Sequence, residues 1–145
     1  MRLVSHVTFQ PSPDQPLQFE QTVEQTLLNW KRQFDVREVR FDPWQLVSVA
    51  QRLSRARLPM VEFTQTVGNL TEASSNLFDL IRARNLIVYP DAAMRRAVSQ
   101  ASAFESSRGW RIVKERASYE IDVVVALAQA ALGAVKQAGR TLRVI

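Results

Sequence analysis

The sequence predicts an α/β fold, and three observations lead to this prediction. Short apolar runs rich in β-branched residues alternate with segments whose apolar positions recur every three or four residues. The length of 145 residues suits a single domain with one core, spanning residues 1–145. An apolar content of 46% with only 23% charged residues is typical of a folded protein. Alternating strands and helices favour a layered fold with a mixed, substantially parallel sheet flanked by helices.

The first part of the chain predicts two strands on either side of a helix. Residues 2–9 are rich in β-branched and aromatic side chains, which predicts a strand, and a proline-rich loop follows at 11–16. Within residues 17–34 the apolar positions lie three and four residues apart, which predicts an amphipathic helix. Residues 37–41 then predict a short strand.

The middle of the chain continues the alternation. Residues 44–57 carry an apolar stripe at helical spacing and predict a second helix. A short strand is predicted over 58–63, and the polar segment 65–71 predicts a loop. A third helix is expected over residues 71–84, where leucine and isoleucine side chains share one face.

The last third predicts two further strands and two further helices. The apolar run 86–89 predicts a strand, and a helix is expected over 91–104. Residues 110–113 predict another strand. The most apolar helix is expected over 122–139, and residues 140–145 are expected to be a tail or an edge strand.

Composition excludes several classes of function. The absence of cysteine excludes disulfides, thiolate catalysis and cysteine-ligated zinc. No apolar run approaches the roughly 20 residues that cross a bilayer, and the N-terminus lacks signal-peptide features, so we expect a cytoplasmic protein without a membrane partner. The single histidine, His6, argues against a hydrolase triad, and no Walker-type loop for ATP occurs. A formal net charge of +5 is compatible with a polyanionic partner.

Two aspartates at the edges of apolar runs are the candidate site. Asp42 follows the predicted strand 37–41 directly and precedes Pro43, while Asp122 begins the predicted last helix. Each aspartate also suits the structural role of a helix N-cap. In open α/β sheets, however, sites gather at the carboxyl ends of strands, and two carboxylates meeting there would need a divalent cation between them. Mg²⁺ or Mn²⁺ would be the natural ion for such oxygen ligands.

The order of motifs resembles a known family. The segments are Val-Arg-Phe-Asp-Pro-Trp-Gln (39–45), Ala-Gln-Arg-Leu (50–53), Phe-Thr-Gln-Thr-Val-Gly-Asn-Leu-Thr-Glu-Ala (63–73), Asn-Leu-Ile-Val-Tyr-Pro (85–90), Arg-Gly-Trp-Arg-Ile-Val-Lys (108–114) and Ile-Asp-Val-Val-Val-Ala-Leu (121–127). Together they resemble the C-terminal nuclease domain of tailed-bacteriophage terminase large subunits. The resemblance extends from about residue 7 to about residue 133.

The resemblance implies a ribonuclease H-like fold that cuts double-stranded DNA during genome packaging, in the cytoplasm of a bacterial host. It implies two divalent ions, Mg²⁺ or Mn²⁺, with Asp42 and Asp122 as catalytic metal ligands. Lys114 matches a basic residue of the family, and Arg108 and Arg111 are candidate contacts to nucleic acid. Other terminase or portal components are the implied protein partners.

One feature of the family is missing from the resemblance. The first catalytic aspartate of such nucleases lies on a strand upstream of the matched segment, so we expect a domain truncated at its N-terminus with an incomplete acidic cluster. The chain would then be a terminase fragment, or a free-standing protein that completes its sheet by pairing between subunits across an exposed edge. The alternative function is a non-catalytic, phage-derived domain that binds DNA or packaging partners through its arginines.

Overall fold

A computed structural model describes residues 1–11 and 16–141 of the chain. These residues form five α-helices and four strands, and α1 is preceded by a π-helical turn, Glu20–Glu24. In chain order the elements are α1 (Gln25–Gln33), β1 (Val39–Phe41), α2 (Val47–Arg55), β2 (Met60–Glu62), α3 (Val67–Arg82), α4 (Ala92–Ser99), β3 (Ala101–Ser106), β4 (Gly109–Lys114) and α5 (Asp122–Thr141). The predicted α/β class is therefore confirmed.

The chain divides into two compact units. The small unit is Val7–Thr64, and the large unit consists of Met1–His6 together with Gln65–Ile145. The paired strands of the described residues form two two-stranded sheets, β1–β2 and β3–β4, with one in each unit.

The small unit is built around a β1–α2–β2 crossover. The two strands pair in parallel, with Val39 opposite Met60 and Phe41 opposite Glu62. Parallel neighbours require a connection that returns to the same end of the sheet, and α2 provides it. Three buried side chains form the core beneath α2, namely Val49, Leu53 and Leu58. Partly buried apolar residues of α1 and both strands pack against this core.

Helix α3 is the centre of the large unit. It packs against both α5 and β4, while α4 packs against α5. The buried side chains are mostly small or aliphatic, which lets the helices approach closely; they include Ala73, Leu77, Met94, Ala97, Val124, Ala128, Ala131 and Leu132. Two of these helices have side-chain caps. The Thr66 hydroxyl accepts the Asn69 N–H, and an Asp91 carboxylate oxygen accepts the Met94 N–H at 2.7 Å.

Strands β3 and β4 form a tight hairpin. Only Ser107 and Arg108 separate them, and the closing pair is Ser106 with Gly109. Gly109 has a φ of +103°, which side-chain-bearing residues rarely adopt. A Cβ atom at this glycine would lie 2.7 Å from Cγ2 of Thr71 on α3. The glycine therefore permits both the turn and the close approach to α3.

The N-terminal residues of the large unit pair with the segment before α4. Arg2 and Ile87 form a single parallel bridge, and the Leu3 N–H donates to the Ile87 carbonyl at 2.9 Å. The pairing is reinforced at Tyr89, whose hydroxyl accepts the His6 backbone N–H at 3.0 Å and whose ring stacks on the His6 ring. The strands predicted over 2–9 and 86–89 are thus reduced to this one bridge.

Local hydrogen bonding explains two further differences from the predicted elements. The loop predicted over 65–71 is wrong, because Thr66 caps α3 and the helix begins at Val67. The helix predicted over 91–104 ends at Ser99, because the chain turns at Gln100 and enters β3. Residues 12–15 of the proline-rich loop and 142–145 of the predicted tail lie outside the described residues. No helix in the described ranges is both long enough and apolar enough to cross a membrane.

Candidate functional site

Asp42 lies in the small unit, directly after β1. It is half-buried, and its Oδ1 accepts the backbone N–H of Trp44 at 3.1 Å. The prediction that Asp42 sits near the N-cap of the second helix is wrong, because α2 begins only at Val47 with Leu46 as its N-cap. Gln45 has a φ of 65°, and this left-handed residue separates the aspartate turn from the helix.

The Asp42 turn holds the carboxylate without using all of its acceptor sites. A carboxylate has about four lone-pair sites on its two oxygens, and the Trp44 N–H occupies one of them. Trp44 itself is 77% exposed. A carboxylate that is oriented by a backbone N–H and still has free lone pairs is well suited to bind a hard cation.

Asp122 lies in the large unit as the first residue of α5, as predicted from its position before the apolar run. Its side chain is exposed, and a negative charge in the first turn interacts favourably with the helix dipole. Within the described part of the chain, its carboxylate has no hydrogen-bond or ion-pair partner. Both candidate aspartates therefore keep free oxygens. Neither belongs to a group of three or more His, Asp or Glu side chains that could hold a metal, since the described ranges contain no such group.

The three candidate basic residues belong to one hairpin. Arg108 lies in its turn and is exposed, while Arg111 and Lys114 lie on β4. The Arg111 guanidinium lies 4.7 Å from the centre of the Phe104 ring, its cross-strand neighbour. Lys114 donates from Nζ to the Ala117 carbonyl at 2.9 Å, which orders the loop before α5. Because side chains alternate along a strand, Arg111 and Lys114 point to opposite faces of the hairpin.

Sequence reasoning missed a cavity of about 320 Å³ in the small unit. Its walls come from β1, α2 and β2, and the polar side chains among them include Arg55 and Glu62. Both residues line the cavity because α2 packs beside the parallel pair of strands, in which Phe41 lies opposite Glu62. The spacing of residues within a single element does not reveal how elements pack against one another. The sequence of α2 shows only that a stripe of mixed polar and apolar residues lies beside its core face.

Comparison with known proteins identifies the family. A family model described as the terminase large subunit, endonuclease domain, matches residues 16–137. The chain therefore belongs to the family of terminase large-subunit endonuclease domains. Nucleases of this family are generally metal-dependent.

A solved structure gives the fold. The chain is similar to the crystal structure of the HK97 bacteriophage large terminase, with a TM-score of 0.71 at 19% sequence identity. The match covers 82% of this chain and 25% of the terminase, so the chain spans about a quarter of that protein. The ribonuclease H-like fold expected from the resemblance is thereby confirmed. No curated protein matches the sequence.

Proposed function

We propose that this chain is a nuclease domain that cleaves double-stranded DNA endonucleolytically during phage genome packaging. The observation that carries the proposal is the family match over residues 16–137, which includes both Asp42 and Asp122. The exposed Arg108 and the half-buried Arg111 of the β3–β4 hairpin are consistent with a polyanionic substrate. Double-stranded DNA in the bacterial cytoplasm is the proposed substrate.

Asp42 and Asp122 are the proposed catalytic metal ligands. Each has carboxylate oxygens free to accept, and Mg²⁺ is often held by one or two carboxylates together with waters and substrate phosphates. The oxygen donors fit Mg²⁺ or Mn²⁺ better than a softer metal. Asp42 and Asp122 would hold the divalent ions, and metal ions bound there would supply Lewis-acid activation of a water and stabilisation of a leaving oxygen.

The protein's own contribution is orientation and charge. The hydrogen bond from the Trp44 N–H to Oδ1 restricts the rotation of the Asp42 side chain. The turn therefore also sets the direction of Oδ2. Arg108, Arg111 and Lys114 are the proposed phosphate contacts, which would set the position of the DNA without reading its sequence. Stacking over Phe104 restricts the Arg111 side chain before DNA binds.

The proposed protein partners are other terminase or portal components, and a second copy of the chain. The outer edge of β3 has no paired strand among the described residues, so its backbone groups are available to another strand. Pairing across this edge would give a homo-oligomer.

Cleavage of supercoiled plasmid by the purified chain tests the proposal. We expect nicking that requires Mn²⁺ or Mg²⁺ and stops in EDTA. Asp42→Asn and Asp122→Asn should each lower the cleavage rate by more than roughly 100-fold. Removing a residue that only hydrogen-bonds to a metal ligand typically costs about 10–100-fold, and removing the ligand itself should cost more. The matched control is Asp79→Asn, because Asp79 is an exposed carboxylate on α3.

Two results would contradict the proposal. Cleavage that continues in EDTA, or at an unchanged rate in both aspartate variants, would remove the metal-ligand assignment. A chain that binds duplex DNA in a salt-sensitive manner, but gives no heat with Mn²⁺ in calorimetry and no nicking, would instead be the non-catalytic binding domain.

A further inference from the structure

The cavity of the small unit lies beside the Asp42 turn. Phe41 and Val47 both line it, and the turn of residues 42–46 connects them. At about 320 Å³ the cavity falls within the size range of small-molecule sites. Its lining residues are Phe41, Val47, Ala50, Gln51, Ser54, Arg55, Met60 and Glu62.

Because of the helical periodicity, one face of α2 points into the core and another lines the cavity. Val49 and Leu53 point into the core. Val47, Gln51 and Ser54 recur at spacings of four and three, and they line the cavity. The cavity is therefore a regular product of the β1–α2–β2 crossover rather than a packing defect.

The cavity contains opposite charges that are not paired. Arg55 and Glu62 both line it, yet neither has an ion-pair partner among the described residues. The guanidinium only donates hydrogen bonds, and the carboxylate only accepts them. A ligand that satisfies both must offer an acceptor and donors at different positions, on an apolar body that suits Phe41 and Met60. A phosphate group fails this test, because it offers acceptors alone and would be repelled by Glu62.

A nucleobase with an exocyclic amino group meets these requirements. Guanine is the best match, since N1–H and N2–H₂ are adjacent donors that both reach one carboxylate, while O6 accepts from a guanidinium. Unpaired bases are read in this way, through hydrogen bonds to the Watson–Crick edge and contact of the ring with apolar walls. Thymine has no amino group, and its two carbonyls would oppose Glu62.

Trp44 belongs to the turn that links the lining residues Phe41 and Val47. The residue is 77% exposed. Exposed aromatic side chains stack on single-stranded bases without regard to sequence. We propose that the cavity binds a guanine that has been extruded from the double-stranded DNA substrate, and that Trp44 stacks on a neighbouring base. This inference rests on DNA being the substrate, as proposed above.

Titration of the full chain with mononucleotides in EDTA tests the cavity. GMP should bind, and IMP, which lacks only the 2-amino group, should bind about tenfold more weakly because one hydrogen bond to a charged group is lost. TMP should bind more weakly than both. Backbone amide shifts in NMR should be largest at the cavity-lining residues of β1, α2 and β2.

Variants assign the recognition to individual side chains. Glu62→Gln should bring GMP to the affinity of IMP, and Arg55→Gln should weaken both ligands. The controls are Asp79→Asn and Arg37→Gln, because both residues are exposed and lie outside the cavity. Trp44→Ala should leave GMP binding unchanged but weaken a short guanine-containing oligonucleotide by about tenfold. Far-ultraviolet circular dichroism confirms that each variant is folded.

Equal affinity for GMP, IMP and TMP would overturn the inference, as would GMP binding that Glu62→Gln leaves unchanged. Amide shifts confined to residues outside the cavity would overturn it as well. Because the titration excludes metal, its failure is separate from failure of the nuclease proposal. A chain that nicks DNA without discriminating GMP loses only the guanine site, and one that selects GMP without nicking loses only the nuclease assignment.

Discussion

The side-chain oxygen of Ser74 accepts the backbone N–H of Ile112 at 3.0 Å, across the contact between α3 and β4. Ile112 lies opposite Ala103 in the hairpin, and its N–H points away from β3. Ser74 is only 3% exposed, so water cannot replace it as the acceptor. This bond pairs one outward-facing N–H of β4 with a helix side chain rather than with another strand. No such side-chain acceptor lies on the outer edge of β3 among the hydrogen bonds described above, so β3 is the edge that we propose for pairing between copies.

Replacing Ser74 by Ala should therefore destabilise the large unit. The change leaves the partly buried Ile112 N–H without its acceptor, at a cost of about 1–3 kcal/mol in the free energy of unfolding. Urea denaturation followed by circular dichroism measures this loss. The control is Ser75→Ala, at the half-buried neighbouring position of the same helix, where alanine should be neutral or slightly stabilising. Equal losses in the two variants would show that the Ser74 hydrogen bond contributes nothing.

Gly109→Ala should be destabilising for two separable reasons. The φ of +103° is strained for alanine, and the new methyl group would lie 2.7 Å from Cγ2 of Thr71. Thr71→Ser removes that methyl group and keeps the hydroxyl, so in its background only the backbone strain remains. A double-mutant cycle by urea denaturation should give a coupling of about 1 kcal/mol between the two positions. Strict additivity would mean that the hairpin moves away from α3 at little cost.

The success of the sequence-based predictions depended on whether the signal was local. The periodic apolar residues of α1 and α5, and the position of Asp122 at the start of α5, were predicted because each signal lies within one element. Gly68 and Asn69 suggested a loop, but the hydroxyl of Thr66 caps a helix there. Residues 101–104 continued the apolar spacing of α4, and only cross-strand pairing with β4 makes them a strand.

At the candidate site, too, the features with a local signal were predicted and those that depend on contacts between elements were not. The hairpin residue Lys114 was predicted to follow a strand, and it ends β4. The hydrogen bond of Asp42 to the Trp44 N–H was not predicted, because Pro43 suggested that the helix began at once. Arg55 and Glu62 were missed because they line one cavity only when α2 packs beside β2 in the folded unit.

The contribution of Glu20 to stability should disappear at acid pH. A backbone hydrogen bond is the largest cause that lowers the pKa of Glu20 below 4.5, and the hydrogen bond and charge of Arg52 act in the same direction. The hydrogen bond that Arg52 donates to Glu24 is the largest cause that raises the pKa of Arg52, and the hydrogen bond and charge of Glu20 act in the same direction. Because the folded state lowers the Glu20 pKa, its stabilisation is complete above the unfolded value and is lost as the pH falls through the folded value.

Glu20→Gln should consequently be slightly less stable than the parent at neutral pH and equally stable well below pH 4.5. Added salt should also shrink the difference, because the pair is exposed to solvent. Urea midpoints measured across this range provide the test, with the exposed Glu115→Gln as control. A difference that persists unchanged in acid would assign the effect to something other than ionised Glu20.

Tyr89→Phe should loosen the N-terminal residues of the large unit. The variant removes the acceptor of the His6 backbone N–H and the partner of the His6 ring nitrogen Nδ1. Loss of about 1 kcal/mol of local hydrogen bonding should speed amide exchange at Leu3 and Ile87 by roughly fivefold. Hydrogen exchange followed by NMR measures this effect. Tyr119→Phe is the control, since the Tyr119 ring contacts Arg116 elsewhere in the same unit. Unchanged exchange would mean that the backbone bonds at Ile87 hold the segment without Tyr89.

Arg108→Gln should weaken DNA binding uniformly across sequences and reduce its salt dependence. Arg108 is exposed in the hairpin turn, where a guanidinium can reach a phosphate without first breaking an ion pair. Loss of one phosphate contact should change the slope of log affinity against log salt by about 0.9. Fluorescence anisotropy with a labelled duplex at several salt concentrations gives that slope. Arg37→Gln is the matched control, because Arg37 is also exposed but is already paired with Asp35. If both variants keep the parent slope, the hairpin turn does not contact the DNA backbone, and the phosphate contacts must be sought among the other arginines.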